Sequence, residues 1–146
     1  MGDNEQQVSV SRVIDASPAE IFAVLSDPAQ HAAIDGSGTV KGLTSDTGEL
    51  VLGSTFGMKM RMGVPYRIGN EVVEYDKNRL IAWQHLGRHR WRYELAEVDS
   101  GTEVTETFDW STARSPRFIE LMGYPKKHPE AMRRTLERLD AHVTGA

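Results

Sequence analysis

The amino-acid sequence predicts an α+β fold in which a curved antiparallel sheet of about seven strands wraps one long C-terminal helix, with two short helices after the first strand. In residues 79–111, three consecutive stretches alternate apolar and polar side chains, as antiparallel strands do. In the C-terminal segment, apolar residues recur with the helical period: Met132, Leu136, Leu139 and Val143. A single antiparallel sheet must bury its inner face against a covering layer, and this helix is the only predicted element long enough to provide one.

The chain begins with a strand and two short helices. Val8–Ile14 alternates apolar and polar residues, which predicts the strand. Ser17 is then a favourable N-cap, Pro18 suits the first helical position, and Glu20 completes a capping box. An Asp-Pro dipeptide ends this helix and begins a second one, Pro28 to about Ile34.

Three more strands are predicted before residue 79. One lies around Thr39–Leu43 in a glycine-rich segment. The next, Gly53–Met62, alternates so that one face carries an apolar set: Phe56, Met58, Met60 and Met62. Gly63 and Pro65 turn the chain into a strand over Tyr66–Tyr75, whose register stays open because both of its faces carry apolar residues.

The three strands of residues 79–111 carry all three tryptophans of the chain. The first covers Arg79–Leu86, and a hairpin turn at Asp99–Gly101 joins the other two. In the middle strand, alternation assigns one set to the inner face: His89, Trp91, Tyr93 and Leu95. In the last strand it assigns another: Val104, Glu106, Phe108 and Trp110.

Two helical segments are predicted after Ser111. Ser115-Pro116 begins a short one that Gly123 ends. After an irregular stretch over Tyr124–His128, Pro129 is expected to begin the final helix, which runs to about Val143.

Composition excludes several classes of function. The 146 residues fit one domain over 7–146, after a disordered lead-in at 1–6. A net charge of −4 argues against a nucleic-acid partner, and the local cluster Arg88, Arg90 and Arg92 fits the solvated face of a strand. The absence of cysteine excludes thiolate chemistry and disulfides. No secretory signal and no apolar run long enough to span a membrane occur, so a cytoplasmic protein is expected.

The inner face of the sheet is rich in aromatic side chains, which indicates the wall of a pocket. A core built for stability alone favours Leu, Ile and Val, which bring no polar atoms that need partners. The candidate ligand-binding residues are Phe56, Met58, Met60, Tyr66, Trp83, Trp91, Tyr93, Phe108, Trp110, Phe118, Met122, Met132 and Leu136. Ordinary core packing is the alternative for the aromatics, gap-filling for the methionines, and simple packing rather than a gate for Phe118 and Met122.

Two side chains are candidates for catalysis. Glu106 shares a face with apolar residues, and a buried carboxyl can act as a general acid, a general base or a ligand anchor. Pairing with an inward cation, or a position at the solvent mouth, is the alternative. His85 shares a face with Trp83 and could move a proton, or could be a core histidine bonded to a backbone carbonyl. No metal site is expected, because His85 and His89 have no evident third ligand.

The pattern resembles the START-like SRPBCC superfamily, also called the helix-grip or birch-pollen-allergen-like fold, and in particular its polyketide cyclase/dehydrase-type branch. The matching residues are the opening strand followed by ASPAEIFAVLSDPAQH, then RLIAW at 79–83, GTEVT at 101–105 and TLERLDAHV at 135–143. The resemblance implies a helix-grip fold and a ligand cavity between sheet and helix. It implies no catalytic residue, because the superfamily has no shared catalytic motif.

The predicted function is the binding of a small, mostly apolar ligand, aromatic, polyketide-like or lipid-like, without a cofactor, by a monomer or homodimer. In an enzymatic version, a cyclase of the aromatase type would fold a poly-β-ketone, with Glu106 or His85 moving the proton and Tyr66 or Tyr93 hydrogen-bonding the enolate. The alternatives are a non-catalytic carrier or sensor of lipids or metabolites, and a protein-interaction module of the chaperone-activator type that uses Arg90 and Arg92.

Overall fold

The computed structural model describes residues 6–36, 40–43, 48–62, 64–84, 88–113, 117 and 124–145. The strands are β1 (Gln7–Ile14), β2 (Val40–Leu43), β3 (Thr55–Met62), β4 (Val64–Asp76), β5 (Leu80–Gln84), β6 (Arg90–Val98) and β7 (Gly101–Asp109). The helices are α1 (Pro18–Leu25), α2 (His31–Ile34), which follows a 3₁₀ turn at Pro28–Gln30, and α3 (Tyr124–Thr144). The predicted α+β architecture is confirmed.

All seven strands form one antiparallel sheet in the order β1-β7-β6-β5-β4-β3-β2. The chain returns β7 beside β1, so the first strand is an edge strand that pairs with the last one. Helix α3 packs on β1, β7, α1 and α2 and buries Met132, Leu136 and Leu139. The core therefore lies between the concave face of the sheet and this helix.

The start of α1 follows the local sequence signals. The Ser17 side chain accepts from the backbone N–H of Glu20, and the Glu20 side chain accepts from the Ser17 backbone, so the predicted capping box is confirmed. Ile21, Phe22, Val24 and Leu25 form the buried side of this helix.

The predicted starts of β3, β4 and α3 were wrong, and β3 begins at Thr55 rather than Gly53. Helix α3 begins at Tyr124, and Pro129 lies inside it rather than at its start. A proline there has no N–H for the carbonyl of residue 125, but most helical stability in a protein comes from tertiary packing, which the buried stripe of α3 supplies. Strand β4 begins at Val64 rather than Tyr66, because Val64 and Pro65 already pair with Met62 and Arg61 of β3.

Other predictions fall outside the described residues. These are the helical segment containing Phe118 and Met122, the position of His85, and, apart from Gln6, the lead-in at residues 1–6. Across the ranges given above, no helix is both long enough and apolar enough to cross a membrane.

Candidate functional site

A buried carboxyl lies on the concave face, one strand in from the edge strand β1. Glu106 on β7 is 3% exposed and pairs across the sheet with Tyr93 on β6 and Val10 on β1. The Tyr93 hydroxyl donates to Glu106 Oε2 at 3.0 Å. The other carboxyl oxygen, Oε1, is buried and has no hydrogen-bond partner among the described residues. A buried polar atom without a hydrogen-bond partner costs free energy, which makes this oxygen a candidate contact for a ligand.

The surroundings of Glu106 favour its protonated form. Burial raises the pKa of this carboxyl to about 8, the Tyr93 hydrogen bond opposes the rise, and the negative charge of Asp35 adds to it. Burial, and then the neighbouring Glu106, also raise the pKa of Tyr93 well above its usual value, so its hydroxyl remains a donor. At neutral pH the pair is therefore mainly a carboxylic acid bonded to a phenol.

One aromatic cluster lies beside the pair on the side of β3 and β5. The Trp83 ring stacks on the His31 imidazole at 4.8 Å between centroids, with 21° between the planes. It also meets Phe56 at 5.7 Å and Tyr93 at 5.6 Å. Burial lowers the pKa of His31, whose Nε2 lies 2.9 Å from the carbonyl oxygen of Leu25. A neutral imidazole with its N–H committed to that carbonyl continues the aromatic surface rather than adding a charge.

A second aromatic cluster lies around Phe108, two residues after Glu106 on β7. Trp91 and Trp110 approach the Phe108 ring at 4.7 and 5.7 Å between centroids. His128 of helix α3 and His89 meet the same ring edge-on, at 4.5 and 5.2 Å. Met132 packs into this cluster from the helix. The Phe108, Trp91 and Trp83 side chains thus form one row across β7, β6 and β5, next to the row that holds Glu106 and Tyr93.

The predicted ligand-binding residues occupy different environments on the concave side. Phe56, Met58, Tyr93, Phe108, Trp110, Met132 and Leu136 are buried. Trp83, Trp91 and Met60 lie on the same face but are only partly buried. Tyr66 lies on β4, and its side chain is outside the described part of the structure, as are Phe118 and Met122. The partly exposed members are the ones that a ligand can reach without displacing the core.

The convex face carries an ion-pair network rather than freely solvated arginines. Arg92 bonds both carboxyl oxygens of Glu74 at 2.8 Å and reaches Asp109 at 3.1 Å. Arg90 joins Glu74 at 2.6 Å. The Arg92 side chain is only 15% exposed, so the expectation of a simple solvated face was wrong for this residue. The carboxylates balance these cations, which gives no support to a partner surface built on Arg90 and Arg92.

Three residues near the site escaped the sequence analysis: His31, Asp35 and His128. His31 and Asp35 belong to the short helix α2 and its end, where sequence gives no indication of which side faces the sheet. His128 was assigned to an irregular stretch, but α3 already includes it. Only its position four residues before the buried Met132 could have indicated an inward side chain.

An open groove of about 310 Å³ runs between the edge strand β1 and helix α3. Its lining includes Val10, Arg12, Arg133, Leu136 and Glu137. Because Val10 is the cross-strand partner of Glu106, the groove comes within one side chain of the buried carboxyl. Arg12, which lines the groove, forms an ion pair of 2.8 Å with Asp140.

Comparison with known proteins places this geometry in a family. Residues 5–144 match the model of the family described as polyketide cyclase / dehydrase and lipid transport. The chain belongs to this family. An uncharacterized protein of Mycobacterium tuberculosis, Rv0088, is 40% identical over an alignment of 146 positions that covers 95% of this chain. The chain spans only 65% of the length of that relative.

Solved structures agree on the fold. Protein NE0264 from Nitrosomonas europaea superimposes with a TM-score of 0.74 at 16% identity, covering 98% of this chain and 97% of its own. An AHSA1-like protein from Aeromonas hydrophila gives 0.69 at 16% identity, with 95% and 92% covered. At such identities the likeness shows the fold alone, and the predicted SRPBCC resemblance is confirmed at that level.

Proposed function

We propose that this protein binds a small, mostly apolar molecule, polyketide-like or lipid-like, between the concave face of the sheet and helix α3. The observation that carries the proposal is the Glu106–Tyr93 pair, because it presents a buried carboxyl oxygen without a partner in the described structure. Two aromatic clusters adjoin it and offer an apolar surface for the body of a ligand. Membership of a ligand-binding family supports the same conclusion.

The distribution of burial suggests where the ligand body lies. Trp83 and Trp91 are cross-strand partners on β5 and β6, in the row of side chains next to the one that holds Tyr93 and Glu106, and both are partly exposed. A planar or flexible apolar molecule that lies on both rings would extend over Tyr93 towards Glu106. It would also shield the Tyr93–Glu106 hydrogen bond from water, which strengthens polar contacts there.

The first test is direct. Native mass spectrometry of protein purified from the organism that encodes it should show a bound species of a few hundred daltons, which denaturing extraction then identifies. Recombinant protein should take up the neutral dye Nile red with increased fluorescence. Trp83→Leu should weaken this uptake about tenfold, whereas Leu52→Ala, at a site that is 63% exposed, should leave it unchanged. A protein that carries no ligand and takes up no dye would overturn the proposal.

A second candidate function, cyclase- or dehydrase-type chemistry, is favoured by the acid–base state of Glu106. A carboxyl with a pKa of about 8 holds its proton at neutral pH and can donate it to a carbonyl oxygen as a carbanion attacks the carbonyl carbon. Tyr93 would keep the carboxyl oriented. Turnover of a poly-β-ketone mimic should be lost in Glu106→Gln while Nile red binding is kept. The wild-type rate should fall as pH rises through about 8.

A further inference from the structure

Among the described residues, the charge that acts on the buried carboxyl is negative. It comes from Asp35, whose carboxylate raises the pKa of Glu106. The arginines on the two strands beside β7 have other partners. Arg12 binds Asp140, and Arg92 lies on the convex face with Glu74 and Asp109. A ligand that reaches Glu106 therefore meets no opposing positive charge from these arginines.

The hydrogen-bonding state of Glu106 defines what it can offer. Its Oε2 already accepts from Tyr93, and the neutral acid carries one O–H. With that proton on Oε1, the carboxyl has a donor with no acceptor among the described residues. A buried donor of this kind is completed by an acceptor that brings no charge, such as a ketone or ester carbonyl.

We infer that the site selects its ligand by charge: it takes a molecule that presents a neutral carbonyl to Glu106, and it rejects molecules that end in a carboxylate. The inference rests on the proposed binding function and adds the chemical class of the ligand. It separates neutral ketones and esters from free fatty acids and aromatic acids, which have equally apolar bodies.

A carboxylate is rejected for two reasons. It must leave its hydration shell, and it then lies beside Glu106, on which the negative charge of Asp35 already acts. An ammonium group is disfavoured for a different reason. It would require ionised Glu106, which in the described part of the structure accepts one hydrogen bond, from Tyr93. Desolvating both members of such a pair costs several kcal/mol per ion.

Other titratable groups face the same interior and must be distinguished from Glu106 in any pH experiment. Those on neighbouring elements are His31, Asp35, His89, Tyr93 and His128, and Arg138 donates to the backbone carbonyl of Asp35. Glu106→Gln removes only the Glu106 proton and keeps an N–H donor. A pH dependence that disappears in this variant therefore belongs to Glu106.

The test uses four naphthalene compounds of similar size: 2-acetonaphthone, 2-naphthoate, 2-naphthylmethylammonium and 2-ethylnaphthalene. Affinities are measured by calorimetry at pH 7 on the full chain. We expect the ketone to bind about tenfold more tightly than 2-ethylnaphthalene, and the two ions more weakly than either. Glu106→Gln should retain the ketone affinity within about threefold, and Glu106→Leu should lower it about tenfold to that of 2-ethylnaphthalene. Above pH 8 the ketone affinity should fall in the wild type and not in Glu106→Gln.

The outcomes distinguish a failure of the charge selection from a failure of the proposed binding function. Binding of naphthoate or the ammonium compound as tightly as the ketone would overturn the charge selection while leaving a ligand site in place. Equal binding of ketone and 2-ethylnaphthalene, unaffected by Glu106→Leu, would do the same. If none of the four compounds binds, the proposed function fails and the inference fails with it.

Discussion

At the residue scale, Glu106 links the site to the stability of the fold. Its pKa is about 8 in the folded protein and 4.5 for an unperturbed glutamate, because burial penalises the charged form. The folded state therefore holds the proton more tightly than the unfolded chain. The associated stability is fully present below pH 4.5 and is lost as pH rises towards 8.

Glu106→Gln should remove this pH dependence, since the amide does not titrate. Relative to the wild type, the variant should gain about 1.4 kcal/mol of unfolding free energy per pH unit inside that window. Urea unfolding at pH 5, 6.5 and 8 measures the difference. Glu94→Gln, at an exposed position of the neighbouring strand, is the control and should run parallel to the wild type. A constant difference between Glu106→Gln and the wild type at all three pH values would contradict the assigned protonation state.

The sequence predicted some of the residues that form this site and missed others. Alternation placed His89, Trp91, Tyr93 and Glu106 on one face, because a strand has a period of two and the hairpin turn pinned the register. The Tyr93–Glu106 bond was not predicted, because a strand register brings two residues side by side without showing that the hydroxyl reaches the carboxyl. His31 and Asp35 were missed because a four-residue helix is too short to show which face it buries.

At the element scale, Arg92 holds three strands together on the convex face. Its bond to Glu74 on β4 passes over Ala82 of β5, which is fully buried, and its bond to Asp109 reaches β7 on the other side. The same contacts lower the pKa of Glu74, first through its hydrogen bond with Arg92. That stabilisation is present above the unperturbed value of 4.5 and is lost as pH falls below it.

Arg92→Met should cost about 3 kcal/mol of unfolding free energy, because it leaves two partly or fully buried carboxylates without their main partner. Arg79→Met is the matched control. Arg79 pairs with Asp76 at 3.4 Å, but its side chain is 75% exposed, so its loss should cost less than about 1 kcal/mol. Equal costs for the two variants in urea unfolding at pH 7 would show that the network contributes nothing beyond a surface pair.

The contact between the end of α2 and helix α3 depends on Gly36 having no side chain. A Cβ on Gly36 would lie 2.5 Å from both the Ala131 oxygen and the Thr135 nitrogen. The Gly36 N–H also donates to Thr135 Oγ1 at 2.8 Å. The backbone there can approach the helix only as glycine, and this approach brings Asp35 close to the Glu106–Tyr93 pair.

Gly36→Ala should therefore lower the unfolding free energy by about 1–3 kcal/mol through overpacking against backbone atoms. Gly69→Ala on β4 is the control, because a Cβ there meets nothing within 4 Å, and it should be neutral or stabilise by about 0.5 kcal/mol. Thermal unfolding followed by circular dichroism distinguishes them. A Gly36→Ala protein as stable as Gly69→Ala would show that α3 does not pack this closely on the loop.

At the scale of the whole molecule, the two faces of the sheet have separate roles. The convex side carries the ion pairs that join β4, β6 and β7, and the concave side carries the aromatic clusters and the neutral acid. The family resemblance predicted this division only as a sheet wrapped around a helix. The sequence could not indicate that His31 and Phe56 join the aromatic row of β5 to β7, because that depends on segments distant in the chain lying side by side.

Because the two faces differ, the unfolding free energy that a ligand adds to variants of each face shows which face the ligand binds. A ligand that binds only the folded state at a hundred times its dissociation constant adds about 2.7 kcal/mol to the unfolding free energy. The wild type should gain this amount with 2-acetonaphthone. Arg92→Met should gain as much despite its lower starting stability, since the substituted side chain lies on the convex face. At the same concentration Trp83→Leu should gain only about 1.4 kcal/mol, because tenfold weaker binding leaves the ligand at ten times its dissociation constant. The reverse pattern, with the gain lost in Arg92→Met and kept in Trp83→Leu, would place the ligand on the convex face, and the concave side would then be a core without a binding role.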